Sequence, residues 1–98
     1  MKLMPNCREE YKRRHDEIWP EMVALLKEAG VSDYSIFLDE ESDTLFAVQR
    51  QSEEGSSSQD MGANPVVQRW WRYMADIMET NADFSPTSIP LKQVFHLD

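Results

Sequence analysis

Ninety-eight residues with 41% hydrophobic content suit a single domain, residues 1–98, and a net charge of -8 from 18 acidic and 10 basic residues repels phosphate backbones and anionic membrane surfaces, which excludes nucleic acid as a partner. The lone cysteine, Cys7, excludes an intrachain disulfide or a thiolate metal site and fits a reducing, cytoplasmic setting, and no apolar run approaches the ~20 residues of a membrane span. A small neutral ligand such as a sugar or polyol is compatible with this field, and a chain this short leaves surface for self-association, so a homodimer is expected.

The first helix is expected from about Pro5 or Asn6 to Gly30, with Glu9 and Glu10 in its early turns where acids suit the helix dipole. Pro20 removes a backbone donor, so a kink or break is expected between Asp16 and Trp19. Tyr11 and His15 are four residues apart and share a face with Ile18, Trp19, Met22, Leu25, Leu26 and Ala29, an arc of roughly 120° at about 100° per residue. The histidine therefore points inward, beside irregular backbone, where a ligand can approach it.

Tyr34, Ile36 and Leu38 alternate with Ser35 and Phe37, the period-two pattern of a strand over Asp33–Asp39, and a second strand follows at Leu45–Arg50. The short polar connector Asp39–Asp43 makes these an antiparallel hairpin. Glu53–Gly62, rich in serine and acid, reads as a loop. Asn64 and Pro65 form a cap and first turn for a helix to about Met78, with Trp70 central on its apolar face and Trp71 marginal. Thr80–Pro90 reads as loop and Val94–Leu97 as a final strand. With Met1–Leu3 as an apparently shortened first strand, the order is β-α-β-β-α-β, an α+β ferredoxin-like arrangement whose open sheet face is expected to meet a second subunit.

On spacing alone, Tyr11 and His15 are polar-tipped core residues as readily as site residues, and Tyr34 is a core tyrosine as readily as a pocket hydroxyl. Trp70 and Trp71 diverge by about 100°, so one is expected to pack while the other is free to meet a ligand, since indoles stack on sugar C–H faces and donate to hydroxyls. The only other histidine, His96, lies in no metal-ligand spacing, and no phosphate loop, nucleophile elbow or Cys/His pair appears. What remains is cofactor-free proton chemistry, to which a near-neutral imidazole is suited.

Tyr11–Glu21 (YKRRHDEIWPE), Asp33–Asp39 (DYSIFLD), Trp70–Met74 (WWRYM), Ser85-Pro86 and Val94–Leu97 together resemble the L-rhamnose mutarotase family, over about Leu3 to Asp98. The resemblance implies a ferredoxin-like dimer of the α/β-barrel type that interconverts the α and β anomers of L-rhamnose without metal or redox cofactor. It makes His15 the catalytic proton donor and Tyr11, Tyr34, Trp70 and Trp71 the sugar-binding residues. The chain departs from the family pattern at Asn81–Phe84, where Asn-Pro-Asp-Asn is more usual, and in the shortened first strand. Two other readings compete: a cofactor-free oxygenase of the same barrel architecture, and a sugar-binding dimer without turnover.

Overall fold

A computed structural model describes residues 1–52 and 62–98; the expected loop at Glu53–Gly62 therefore lies outside the described residues except for Gly62. The first helical span is split as the proline requires, into α1 (Arg8–Asp16) and α2 (Pro20–Glu28). Trp19 takes an extended backbone (ψ 132°) so that Pro20 starts α2 at its first position, where a missing N–H costs nothing. Gly30, at φ 85°, ends the span in the left-handed region that glycine enters without steric cost.

β1 (Val31–Asp39) and β2 (Thr44–Gln51) form the expected antiparallel hairpin, each slightly longer than the alternation alone indicates. The register runs from Asp39↔Thr44 through Phe37↔Phe46 to Ser35↔Val48, then shifts by one residue before Ser32↔Arg50. That bulge holds Asp33 at φ 48° and inverts the alternation. Val31 thereby shares the helix-covered face with Tyr34, Ile36 and Leu38, and all four line one cavity. The bulge thus lets Tyr34 join the inner face while the strand's first residue stays buried at 5% exposure.

α3 (Pro65–Met74) starts as its sequence dictates, with the Asn64 side-chain oxygen accepting from Val66 N at 2.9 Å. It stops four residues short of the expected Met78, because the chain must straighten to reach the edge of the Met1–Leu3 segment. Met4 N donates to Ile77 O, and Glu79 N to Lys2 O, both at 2.9 Å. Isolated antiparallel bridges join Lys2 to Thr44, Leu3 to Met78 and Thr80 to Pro86. The shortened first segment is therefore paired on both sides, and Leu3 is buried at its centre.

These bridges correct the expected final strand. Val94–Leu97 forms no strand, since the edge beside Leu3 is held by Met78–Thr80, and Val94, Phe95 and Leu97 are all strongly exposed. Among the described residues, no sheet edge receives that tail. The core lies between α1, α2, α3 and the inner sheet face, built from Leu3, Met22, Leu45, Val67, Met74, Ile77 and Met78 together with Tyr11 and both tryptophans. Among the described residues, no helix is long and apolar enough to cross a membrane.

Candidate active site

A cavity of about 840 Å³ opens between the helices and the inner face of the hairpin. That is within the range of small-molecule sites, roughly 300–1,000 Å³. Tyr11, His15, Tyr34, Trp70 and Trp71 all line it, so three elements of the chain, α1, β1 and α3, contribute the residues singled out from sequence to one concavity. The remainder of the wall is largely aliphatic, including Ile36, Leu38 and Val67.

The two polar groups on α1 are coupled by the helix itself. His15 stacks on Tyr11 with ring centroids 4.3 Å apart, as the four-residue spacing permits. Its Nδ1 lies 3.1 Å from the Tyr11 carbonyl oxygen. From α3, Trp70 meets His15 edge-on at 5.4 Å. The imidazole is thus held between a phenol, an indole and its own backbone, and burial pushes its pKa below the ordinary 6.5 against smaller opposing effects of the Tyr11 carbonyl and Asp16. Burial, with a lesser contribution from Tyr34, raises the Tyr11 phenol, which stays protonated and available as a hydrogen-bond donor.

The tryptophans depart from the expected division of labour. Both are buried, at 6% and 7% exposure, and both reach the cavity. The 100° divergence does not separate them because α3 is wrapped on two sides: Trp70 faces α1 and the α1–α2 break, while Trp71 turns toward Gly62. A Cβ at Gly62 would stand 2.9 Å from the Trp71 ring, so glycine is what allows the chain to close over that indole.

Three contributors lie outside the sequence-derived set. Trp19 packs edge-on against Trp70 at 5.1 Å and stacks with Tyr73 at 5.6 Å, completing an aromatic cluster behind His15. Trp19 was visible on the helix stripe, but its partner Tyr73 carried no spacing signal. Arg14 is the second: its side chain, 11% exposed, donates to Glu10 at 2.9 Å, to Asp76 at 2.9 Å and to the Tyr73 carbonyl at 2.6 Å, and its guanidinium lies 4.5 Å from the Tyr73 ring centroid. This clamp fixes the helix bearing Tyr11 and His15 against the helix bearing the tryptophans. The third is Phe84, which lines the cavity from the Asn81–Ser85 turn at φ 68°, an unfavourable conformation for an aromatic residue.

Among the described residues, no group of three or more His, Cys, Asp and Glu side chains converges to hold a metal ion. A single half-buried imidazole amid phenols and indoles can move protons on a small hydroxylated ring, and the aromatic faces suit the apolar faces of such a ring.

A family model described as L-rhamnose mutarotase matches residues 1–97. A protein of Sinorhizobium fredii named L-rhamnose mutarotase is 59% identical over 97 residues, covering 99% of this chain and 92% of the relative. One of Bacteroides thetaiotaomicron with the same name is 57% identical over 98 residues, covering 100% and 93%. The crystal structure of an L-rhamnose mutarotase from Formosa agariphila superposes with a TM-score of 0.91 at 52% identity, covering 100% of this chain and 93% of that one. By sequence and by three-dimensional similarity alike, the chain belongs to the L-rhamnose mutarotase family.

Proposed function

We propose that this protein interconverts the α and β anomers of L-rhamnose by opening and reclosing the pyranose ring, an isomerisation at the anomeric carbon that needs no redox partner. The observation that carries this reading is the placement of His15, half-buried and stacked on Tyr11, in the wall of a cavity also lined by Tyr34, Trp70 and Trp71. Ring opening requires a proton to leave the anomeric hydroxyl and one to reach the ring oxygen. A positioned imidazole supports both transfers, and acid–base catalysis of this kind contributes about 10²–10⁴-fold.

In this reading His15 is the proton-transfer residue. Trp70 and Trp71 flank the sugar's apolar faces, and Tyr11 and Tyr34 direct its hydroxyls. A neutral sugar meets no penalty from the chain's net charge of -8. The single Cys7 fits a reducing, cytoplasmic setting.

The same proposal includes a ferredoxin-like sheet and a homodimer. The extended segments lie in the order 78–80, 2–3, β2, β1, with antiparallel neighbours throughout, which is the order expected of a β-α-β-β-α-β chain. The outer face of the hairpin carries Phe37, Phe46 and Val48 at 60%, 44% and 60% exposure, and the tail adds Ile89, Leu91, Val94, Phe95 and Leu97. A second copy covers this much apolar surface through a two-fold contact. Polarimetry on freshly dissolved crystalline L-rhamnose tests the activity: catalytic amounts of protein should speed the decay of rotation to its equilibrium value, and a decay no faster than in buffer would reject the proposal.

A further inference from the structure

Resting on that reading, we infer that His15 acts first as a general base through Nε2 and then returns the same proton to the ring oxygen, so one imidazole serves both oxygens of the anomeric carbon. The family resemblance makes His15 the proton donor; here the proton it donates is one it has first taken from the anomeric hydroxyl.

The argument starts from the backbone. Nδ1 is 3.1 Å from the Tyr11 carbonyl oxygen, and a carbonyl only accepts, so Nδ1 carries the hydrogen. In a neutral ring Nε2 then holds the lone pair. Among the described residues, no hydrogen-bond partner engages Nε2, and the ring lines the cavity. Helix geometry thus spends one nitrogen on the chain and leaves the other as an acceptor for substrate.

The surroundings keep the ring neutral before substrate arrives. On its own helix it meets the Tyr11 phenol and, more weakly, Asp16. From α3 the facing group is the uncharged Trp70. From β1 the cavity wall offers the phenol of Tyr34 and the carboxylate of Asp33, with Glu40 just beyond the strand; from α2 the titratable lining group is Lys27, and α1 itself adds Arg8, Glu9 and Lys12 along the wall. Burial outweighs the favourable Asp16 field, so the charged form is disfavoured at neutral pH.

The proton and electron accounting closes on the sugar and His15 alone. The anomeric hydroxyl gives its proton to Nε2, and the electron pair it leaves becomes the second C1–O1 bond of the aldehyde. The bond from C1 to the ring oxygen breaks with its pair on that oxygen, which takes the proton back from the imidazolium. Rotation about C1–C2 presents the other carbonyl face, and the sequence runs in reverse. Because both oxygens are bonded to the same carbon, the nitrogen that unloads one is placed to load the other.

Two measurements on the intact protein test this. Long-range ¹H–¹⁵N spectra of labelled protein should show His15 as the Nδ1–H tautomer, with Nε2 unprotonated. Anomer exchange followed between pH 5 and 9 should give kcat/KM flat above neutrality and falling about tenfold per pH unit below the His15 pKa, itself under 6.5. An Nε2–H tautomer, or a rate that falls as pH rises through the His15 pKa, would overturn the inference while leaving the mutarotase reading intact. Absence of exchange at every pH overturns both.

Discussion

Arg14 and Asp76 are 62 positions apart in sequence yet form an ion pair at 2.9 Å, and that pair is the joint between the two halves of the proposed site. One side of the joint is α1, carrying Tyr11 and His15; the other is the turn after α3, which carries Trp70 and Trp71. The guanidinium also donates to the Tyr73 carbonyl. Arg is suited to this because its planar fork serves several acceptors at once.

Removing the joint should therefore loosen both stability and site geometry. Arg14→Ala is expected to cost about 1–2 kcal/mol in urea unfolding, with Arg14→Lys restoring only part, because an ammonium cannot span the three acceptors. The pH dependence follows from the carboxylates. Arg13 and Arg14 hold Glu10 down to about 2, and Arg14 lowers Asp76 below its ordinary value. Depressed carboxylates add stability that is present above their unfolded pKa values and is lost as pH falls through the folded ones. Wild type should thus lose stability from about pH 4.5 down to about 2, and Arg14→Ala should lose less over that window.

Much of this architecture was legible in the sequence because it rests on local rules. The break before Pro20, the hairpin at Asp39–Asp43 and the Asn64 cap are decided by residues within a few positions of one another. The Tyr11–His15 stack was legible for the same reason. What the sequence withheld depends on distant pairing. Val94–Leu97 reads locally as a strand, yet the edge beside Leu3 goes to Met78–Thr80, a competition invisible to any local window. The Arg14–Asp76 joint and the burial of both tryptophans likewise follow from how α1 and α3 meet.

The two tryptophans should separate by phenotype. Trp70 contacts His15, Trp19 and Tyr73, so Trp70→Ala is expected to destabilise by about 3–5 kcal/mol. Trp71→Phe keeps a ring in the core and should chiefly raise the Kd for L-rhamnose in titration calorimetry. Gly62→Ala, which drives a methyl into the Trp71 ring, should mimic that effect with intact Trp71. Equal loss of stability from all three would assign Trp71 to packing alone.

Phe84 offers a trade between stability and binding. Its left-handed backbone costs on the order of 1–2 kcal/mol that asparagine largely avoids. Phe84→Asn is therefore expected to raise the urea midpoint while weakening sugar binding, because the ring lost is one that lines the cavity. Tighter binding in the variant would remove Phe84 from the site.

The apolar outer sheet face predicts a concentration-dependent assembly. Phe37→Asp places a charge opposite the exposed Phe46 and should shift sedimentation from dimer to monomer. A wild-type chain that sediments as a monomer at all concentrations would contradict the proposed homodimer.

Saturation-transfer NMR on L-rhamnose tests the central claim most directly, with wild type and His15→Ala measured side by side. Irradiating one anomeric proton should attenuate the other at micromolar wild-type protein, and His15→Ala should lower the exchange rate by about 10²–10⁴-fold while its melting temperature changes little. Transfer at the buffer rate with wild type, or an undiminished rate in the folded variant, would contradict the account.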